Sequence, residues 1–342
     1  MNRFWPMAIG LTVTGASLGL EQLFPAPALG QTLSPTTITG ILTSESAVLE
    51  DGSYYEIYRF EGQAGEKLRI DLLSEEFDAY LMLLDPKGNK IGENDDGGEG
   101  NNARLVLELP ETGEYQAIVN TYGKGTGTYV FSRQAATESD FLLAESDRLN
   151  REALALDREG RYSEAEPLYK RSLSIREEQL GADHPDTAQS LNNLAALYQS
   201  QGRYSEAEPL YKRSLLIREQ QLGADHPDTA TSLNNLAGLY ESQGRYSEAE
   251  PLYTRSLAIT EQQLGADHPD TATSLNNLAV FNWAQDRFDE GLGFLARGLE
   301  VQETNILANI ATLTESQQRD YLSTVEASED LIVSLHLQHL PS

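Results

Sequence analysis

The chain contains no cysteine. This absence excludes disulfide bonds, cysteine nucleophiles, cysteine-based zinc sites and lipid attachment at a cysteine. Positive charge is also scarce, with 25 lysines and arginines against 53 aspartates and glutamates, which gives a net charge of −28 over 342 residues. A surface this acidic repels phosphate backbones and anionic membranes, so the sequence predicts no nucleic-acid partner.

Motifs that mark common enzyme classes are absent as well. Outside the apolar N-terminal stretch, where the string GASLG occurs at 15–19, the sequence has no G-x-S-x-G nucleophile elbow. It also has no H-E-x-x-H zinc motif and no phosphate-binding loop. Three of the five histidines (His184, His226 and His268) recur at a spacing that stacked repeats would hold too far apart for one metal ion. We therefore expect a non-enzymatic protein without a cofactor, with calcium in one loop as the open question discussed below.

Long apolar stretches are confined to the N-terminus. Arg3 precedes an apolar stretch over 4–20, and the small residues Ala28 and Gly30 follow it. This order is typical of a secretory signal, and the stretch is short for a membrane-spanning helix, which needs about 20 residues. The sequence predicts a signal peptide over 1–30, a periplasmic or extracellular location, and no integral membrane segment after signal removal; an uncleaved anchor is the alternative.

Residues 31–135 follow a period of two. Short alternating runs such as KLRIDL (67–72) and RLVLEL (104–109) are separated by turns rich in glycine, aspartate, asparagine and proline. Many short alternating runs with frequent turns are typical of an antiparallel sandwich. We predict an N-terminal antiparallel β-sandwich of about seven or eight strands.

Three segments of this region resemble a known family. FDAYLMLLDPKGNKIGENDDGG (77–98), NARLVLELPETGEYQAIV (102–119) and GTGTYVFS (125–132) are similar to the bacterial pre-peptidase C-terminal (PPC) domain, and the resemblance covers roughly residues 37–133. It implies a small jelly-roll-like β-sandwich attached to secreted hydrolases and other exported proteins.

An acidic loop within this region offers oxygen ligands close together in sequence. Asn94, Asp95, Asp96 and Glu99 could ligate calcium. Their spacing does not match an EF-hand loop, and a solvated turn of glycine, aspartate and asparagine explains the same composition. The calcium site and the solvated turn are alternative interpretations, and the second is favoured.

From residue 136 onward the sequence repeats itself every 42 residues. Tyr162, Tyr204 and Tyr246 keep this spacing, and the run LNNL recurs at Leu191, Leu233 and Leu275. Repeats of this period indicate stacked units that cannot bury their apolar faces alone. Four units can be counted over 136–302, the last of which is atypical, as expected of a terminal unit.

Each unit is predicted to contain two helices. In the unit near residue 200, apolar residues from Leu191 to Tyr198 recur at i, i+3, i+4 and i+7, which is one face of a helix. Pro185 suits the first turn, and Gly202 ends the helix. Ser205 and Glu208 form an S-x-x-E capping box that would start the second helix, with a proline in its first turn.

These units resemble the tetratricopeptide repeat (TPR), in the longer 42-residue form found in kinesin light chains. The matching positions in one unit are Leu191, Leu194, Ala195, Tyr198, Gly202, Tyr204, Ala207 and Tyr211. The resemblance covers roughly residues 142–302 and implies an all-α solenoid of helical hairpins that binds a protein or peptide in a concave groove lined by the first helices.

The groove positions implied by the resemblance are polar: Gln189, Asn192, Gln199, Thr231, Asn234, Glu241, Thr273 and Asn276. Asparagine both donates and accepts hydrogen bonds, so it can hold a peptide backbone; alternatively, these asparagines bond within or between repeats. Specificity must come from differences between copies, such as Gln199 against Glu241 and Ala196 against Gly238.

Residues 303–342 are expected to continue as a helical tail or cap. Ile332, Leu335, Leu337 and Leu340 would give it an apolar surface that docks on the last repeat or on a partner. The tail resembles the segment that precedes CHAT domains in bacterial TPR proteins. Two functions follow as alternatives: an exported scaffold, or an accessory module of a secreted hydrolase or CHAT-type protease. The sequence does not predict the oligomeric state.

Overall fold

The computed structural model describes residues 22–24, 35–49, 52–95, 102–121 and 125–311. They fall into two compact units that divide after Ala144. The first contains the β-domain and the second contains the helical array. In this described part of the chain, no helix has the length and apolar character needed to cross a membrane.

The β-domain consists of two sheets. Its described strands are β1 (Gln22–Phe24), β2 (Thr36–Leu42), β3 (Ala47–Val48), β4 (Tyr54–Gly62), β5 (Lys67–Leu73), β6 (Ala79–Leu84), β7 (Lys90–Asn94), β8 (Ala103–Glu108), β9 (Gly113–Thr121) and β10 (Gly127–Ala135). One sheet has the order β1-β4-β9-β6-β7, with β3 also paired to β4, and the other has the order β2-β10-β5-β8. Pairing is antiparallel except between β1 and β4.

The inward faces of the two sheets form one core. Tyr58 from β4 and Phe131 from β10 are both buried, and their rings stack with centroids 4.5 Å apart. On β5, Leu68, Ile70 and Leu72 are fully buried, as the alternation predicts. Each such side chain contributes about 1.5–3 kcal/mol when it is removed from water. The antiparallel β-sandwich prediction is confirmed.

The strand count differs from the prediction because two strands are very short. β3 has two residues and β1 has three, too few to show an alternating pattern. Strand β1 lies within the segment predicted as a signal peptide and pairs with β4 from Tyr58 to Phe60. The rest of that segment lies outside the described residues.

Within the described residues, the helical array contains four hairpins, here called units 1 to 4. Its helices are α1 (Glu138–Arg158) and α2 (Tyr162–Leu180), α3 (Pro185–Ser200) and α4 (Tyr204–Gln221), α5 (Pro227–Ser242) and α6 (Tyr246–Gln263), and α7 (Pro269–Trp283) and α8 (Phe288–Ala311). The two helices of a unit pack closely because small residues face each other. For example, the buried Ser214 donates to the Ala188 carbonyl at 2.8 Å.

Histidine side chains start the first helices of units 2 to 4. His226 Nδ1 accepts a hydrogen bond from the Asp228 backbone N–H at 3.1 Å, which satisfies an otherwise unpaired donor at the start of α5. His184 and His268 do the same for α3 and α7. The periodicity of these histidines is visible in the sequence, whereas their capping role is seen only in the structure.

The predicted capping box at Ser205 and Glu208 is wrong. Helix α4 begins at Tyr204, and its N-cap, Arg203, makes no side-chain capping hydrogen bond. Ser205 therefore lies inside the helix, where its backbone is no longer in the extended conformation of an N-cap. The proline predicted for the first turn, Pro209, is consequently the sixth residue of the helix and lies in the second turn. Glu208 instead pairs with the next unit.

Candidate protein-binding surface

The first helices of units 2 to 4 carry all the predicted groove residues, at equivalent positions on α3, α5 and α7. Thr231 and Thr273 are exposed, and each donates to the carbonyl of the proline four residues earlier. Asn192 is buried, with only 6% of its surface exposed. The other five, Gln189, Gln199, Asn234, Glu241 and Asn276, are partly buried.

Asparagine side chains connect successive units in a series that we call the Asn ladder. Asn193 Nδ2 donates to Asn150 Oδ1, Asn235 Nδ2 donates to Asn192 Oδ1, and Asn277 Nδ2 donates to Asn234 Oδ1, each at 2.9 Å. In every case the second asparagine of one unit reaches the first asparagine of the preceding unit. The carbonyl groups of Asn192 and Asn234 are thus engaged in stacking the repeats.

The ladder stops at unit 4. Asn276 Oδ1 is buried and has no hydrogen-bond partner among the described residues. It lies close over Gly298, where a Cβ atom would come within 2.5 Å of it. The equivalent positions in units 2 and 3 are Ser214 and Ser256, so the glycine makes room for the Asn276 side chain.

Gln189 is also held by internal contacts. Its Nε2 donates to Asn193 Oδ1 at 2.8 Å, and its Oε1 accepts a hydrogen bond from the Arg218 guanidinium. Arg218 is almost completely buried, and burial lowers the pKa of its guanidinium. The contacts of Gln189 therefore lie within unit 2, and Arg218 links them to unit 3 by donating to the Asp228 carbonyl at 2.9 Å.

A second line of groove residues meets tyrosines from the second helices. Gln199 Oε1 accepts from the Tyr211 hydroxyl at 3.0 Å, and Glu241 Oε2 accepts from the Tyr253 hydroxyl at 2.7 Å. Burial raises the pKa of the Glu241 carboxyl, and the hydrogen bond from Tyr253 opposes that shift. The carboxylate accepts one hydrogen bond from the described residues, which leaves acceptor capacity for a partner.

Gly238 is partly buried and brings backbone without a side chain close to these groups. A Cβ atom at this position would lie 3.4 Å from the Tyr253 hydroxyl and 4.0 Å from Gln199 Nε2. The equivalent residues are Ala196 in unit 2 and Val280 in unit 4. We call Gln199, Gly238, Glu241 and Tyr253 the Gly238 patch. It combines both differences between copies that the sequence indicated as sources of specificity.

Charged and aromatic side chains also connect successive units. Arg245 Nη1 donates to Glu208 Oε2 of the preceding unit at 2.7 Å, and its guanidinium lies 3.9 Å from the centre of the Tyr240 ring. Arg203 makes the same two contacts, a hydrogen bond to Glu166 and a cation–π contact with Tyr198. Hydrogen bonds from Arg245 and Lys212 lower the pKa of Glu208 to about 2.

The predicted calcium ligands are only partly covered by the structure. Asn94 ends β7 and Asp95 follows it, whereas Asp96 and Glu99 lie outside the described residues. Within the described ranges, no group of three or more histidine, aspartate or glutamate side chains could hold a metal ion. The calcium site stays a prediction.

Two family models match the chain, one in the helical array and one in the β-domain. The model described as "Tetratricopeptide repeat" matches residues 148–215, 191–262 and 243–304. Residues 148–304 are tetratricopeptide repeats. The model described as "Bacterial pre-peptidase C-terminal domain" matches residues 48–121, so the β-sandwich is a PPC domain.

The TPR and PPC families are generally non-catalytic, and TPR arrays act as scaffolds for protein–protein interaction. The TPR array of this chain therefore implies a protein partner. The resemblance of the tail to segments before CHAT domains stays a prediction, because residues 312–342 lie outside the described residues and beyond both family matches.

Several solved structures are similar to parts of the chain. The TPR-like repeats attributed to a Podosopora anserina kinesin light chain are 24% identical, cover 54% of this chain and 95% of their own, and have a TM-score of 0.42. BtubC (BKLC) from P. vanneervenii is 19% identical, with coverages of 60% and 95% and a TM-score of 0.41.

For the β-domain, the pre-peptidase C-terminal domain of a Bacillus anthracis collagenase is 20% identical. It covers 35% of this chain and 100% of its own, with a TM-score of 0.27. The chain has no significant match among curated proteins.

Proposed function

We propose that this protein is an exported, non-enzymatic scaffold that binds a protein or peptide along the first helices of its TPR units. The Gly238 patch is the observation that carries the proposal. It places a partly buried glycine, whose backbone carries no side chain, beside a partly buried amide, a carboxylate and a tyrosine hydroxyl. A peptide can approach such a surface closely and find hydrogen-bond partners there.

The chemistry of the patch suits an extended backbone. Gln199 donates to Ser242 Oγ at 3.2 Å and accepts from Tyr211, so its orientation is fixed before a partner arrives. Glu241 keeps free acceptor positions for N–H groups. Groups that are held in place before binding lose little conformational entropy when the partner binds.

Export is supported by two features of the sequence. The first 30 residues have the order of charge, apolar stretch and small residues typical of a secretory signal, and PPC domains often occur in secreted proteins. The strongly acidic composition also disfavours nucleic acid as a partner. The alternative function, an accessory module of a hydrolase or CHAT-type protease, is not favoured.

Adding a side chain at Gly238 tests this proposal. In Gly238→Val, the new side chain should block the patch while the helix stays folded, since Val280 occupies the equivalent position of α7 with 52% exposure. Gln220→Val, at an exposed position on α4, is the matched control. Both purified proteins would be compared with the unchanged chain as baits for the exported fraction, with bound proteins quantified by mass spectrometry.

We expect Gly238→Val to weaken capture by about tenfold or more, equivalent to ~1.4 kcal/mol, and Gln220→Val to leave it unchanged. Equal capture by both variants, with unchanged melting temperatures, would rule out the patch as the binding surface. Replacing Asn192, Asn234 and Asn276 by alanine is a less specific test, because two of them belong to the Asn ladder.

A further inference from the structure

An arginine near the end of the second helix connects units 1 and 2 to the unit that follows. Arg176 Nη1 donates to the Asp186 carbonyl at 2.9 Å and to Ser190 Oγ at 3.1 Å, both at the start of α3. Arg218 Nη1 makes the same two contacts at the start of α5. The start of a first helix is therefore a position that binds a guanidinium group in two successive junctions of the array.

The junction between units 3 and 4 has the oxygen atoms of this position without the arginine. The equivalent residue is Thr260, whose hydroxyl donates to the Leu257 carbonyl of its own helix at 3.0 Å. At the start of α7, Ser274 Oγ donates to the Asp270 carbonyl at 3.1 Å. Among the described residues, no arginine or lysine side chain donates to either of these two oxygen atoms.

The side chain that holds the other end of the guanidinium is also shorter in unit 3. Arg176 Nη2 donates to Asp147 Oδ1 at 2.7 Å, and Arg218 Nη2 donates to Gln189 Oε1. The equivalent residue of unit 3 is Thr231, which is exposed. Unit 3 thus has threonine in place of both members of the pair, the arginine and its acceptor on the first helix.

The charges around this position favour a cation. Burial lowers the pKa of the Arg218 guanidinium, and the carboxylates of Asp228 and Asp186 act in the opposite direction. The equivalent carboxylates around Thr260 are those of Asp270 and Asp228, and both residues are exposed. Because residue 260 supplies no positive charge, these carboxylates attract a cation from a partner.

We propose that an arginine side chain of the partner binds between units 3 and 4, at the position that the chain's own arginines fill after units 1 and 2. We call Thr231, Thr260, Asp270 and Ser274 the arginine site. Thr260 and Ser274 are 4% and 5% exposed and form its floor, whereas Thr231 and Asp270 are exposed at its rim.

This inference rests on the proposed binding along the first helices, and it names a residue that the partner must offer there. Arginine suits the site better than lysine, because the planar guanidinium presents several donors at fixed angles. In units 1 and 2 that geometry is used in full, since Nη1 and Nη2 of one arginine bond to different helices.

A small probe tests the site directly in the full chain. N-acetyl-L-arginine amide, which carries the guanidinium as its one charge, would be titrated into isotope-labelled protein while backbone amide signals are followed by NMR. The matched probe is the citrulline analogue, in which a neutral urea replaces the guanidinium. Thr260→Arg fills the site from within, and Thr254→Arg, at an exposed position on the same helix, is the control variant.

We expect the arginine probe to shift the amide signals of Thr231 and Ser274, with a Kd on the order of millimolar for so small a ligand. The citrulline probe should bind at least about tenfold more weakly. Thr260→Arg should abolish the shifts and Thr254→Arg should keep them. Thr231→Asp should tighten binding by at least about threefold, because a carboxylate accepts a stronger hydrogen bond from a guanidinium than a hydroxyl does.

Equal shifts with both probes, no shift at these two residues, or shifts that persist in folded Thr260→Arg would overturn the proposal. Thr260→Arg should fold, since arginine occupies the same position in units 1 and 2; if its melting temperature shows that it does not, unchanged probe affinity in Thr231→Asp overturns the proposal instead. Capture that depends on Gly238 while the arginine probe does not bind would reject the arginine site and leave the proposed function in place.

Discussion

The Asn ladder should contribute more to stability than one exposed hydrogen bond. In Asn235→Ala, the amide that donates to Asn192 Oδ1 at 2.9 Å is removed, and the acceptor stays in place. Because Asn192 is only 6% exposed, water replaces the lost donor poorly. A buried acceptor left unpaired costs about 1–3 kcal/mol, compared with about 1 kcal/mol for a typical hydrogen bond.

A double-mutant cycle separates the pair from its surroundings. We expect the double variant Asn192→Ala/Asn235→Ala to lose less free energy of unfolding than the sum of the losses in the two single variants. The difference should be at least about 0.5 kcal/mol, because the double variant leaves neither partner unpaired. Equilibrium urea unfolding of the four proteins at pH 7 gives the coupling energy. Costs that add to within about 0.3 kcal/mol would refute the idea that these asparagines stabilise the stacking of units 2 and 3.

Two further predictions concern a helix cap and a buried carboxyl. His226→Ala should lower the free energy of unfolding by about 1 kcal/mol, the typical value of an N-cap, whereas His226→Asn should keep the cap; equal urea midpoints for both variants would contradict this role. Burial raises the pKa of the Glu241 carboxyl in the folded protein. The contribution of Glu241 to folding stability is therefore complete below the pKa of this group in the unfolded chain, and it is lost as the pH rises through the pKa in the folded protein. Glu241→Gln should therefore stabilise the protein at pH 7 and have less effect at pH 4; urea midpoints showing the same difference at both pH values would contradict that sign.

The parts of the fold that could be predicted from the sequence depend on local patterns. The alternation of Leu68, Ile70 and Leu72 predicted an inward strand face, and all three are buried. The 42-residue period predicted the hairpins, and Pro185 predicted the first turn of a helix, which begins at this residue in α3. Each of these patterns lies within one strand or one helix. It therefore predicts which side chains are buried, or where a helix begins, without information about the neighbouring elements.

Contacts between units were harder to predict. The motif at Ser205 and Glu208 satisfies the capping-box pattern, yet Glu208 accepts a hydrogen bond from Arg245, which lies 37 residues further along the chain. The asparagines were correctly placed on the first helices, but their ladder depends on which side chains meet when units stack. The interpretation that they bond between repeats describes the contacts of Asn192 and Asn234, and the partner-binding interpretation stays a proposal.

Binding along the first helices is the central claim, and site-specific photo-crosslinking tests it most directly. A photoreactive amino acid would replace Thr231, which is exposed on α5, or Gln220, which is exposed on α4, and each protein would be irradiated in the exported fraction. Binding along the first helices predicts a crosslinked protein from position 231 and none from position 220. Crosslinks to the same proteins from both positions, or none from position 231, would contradict it.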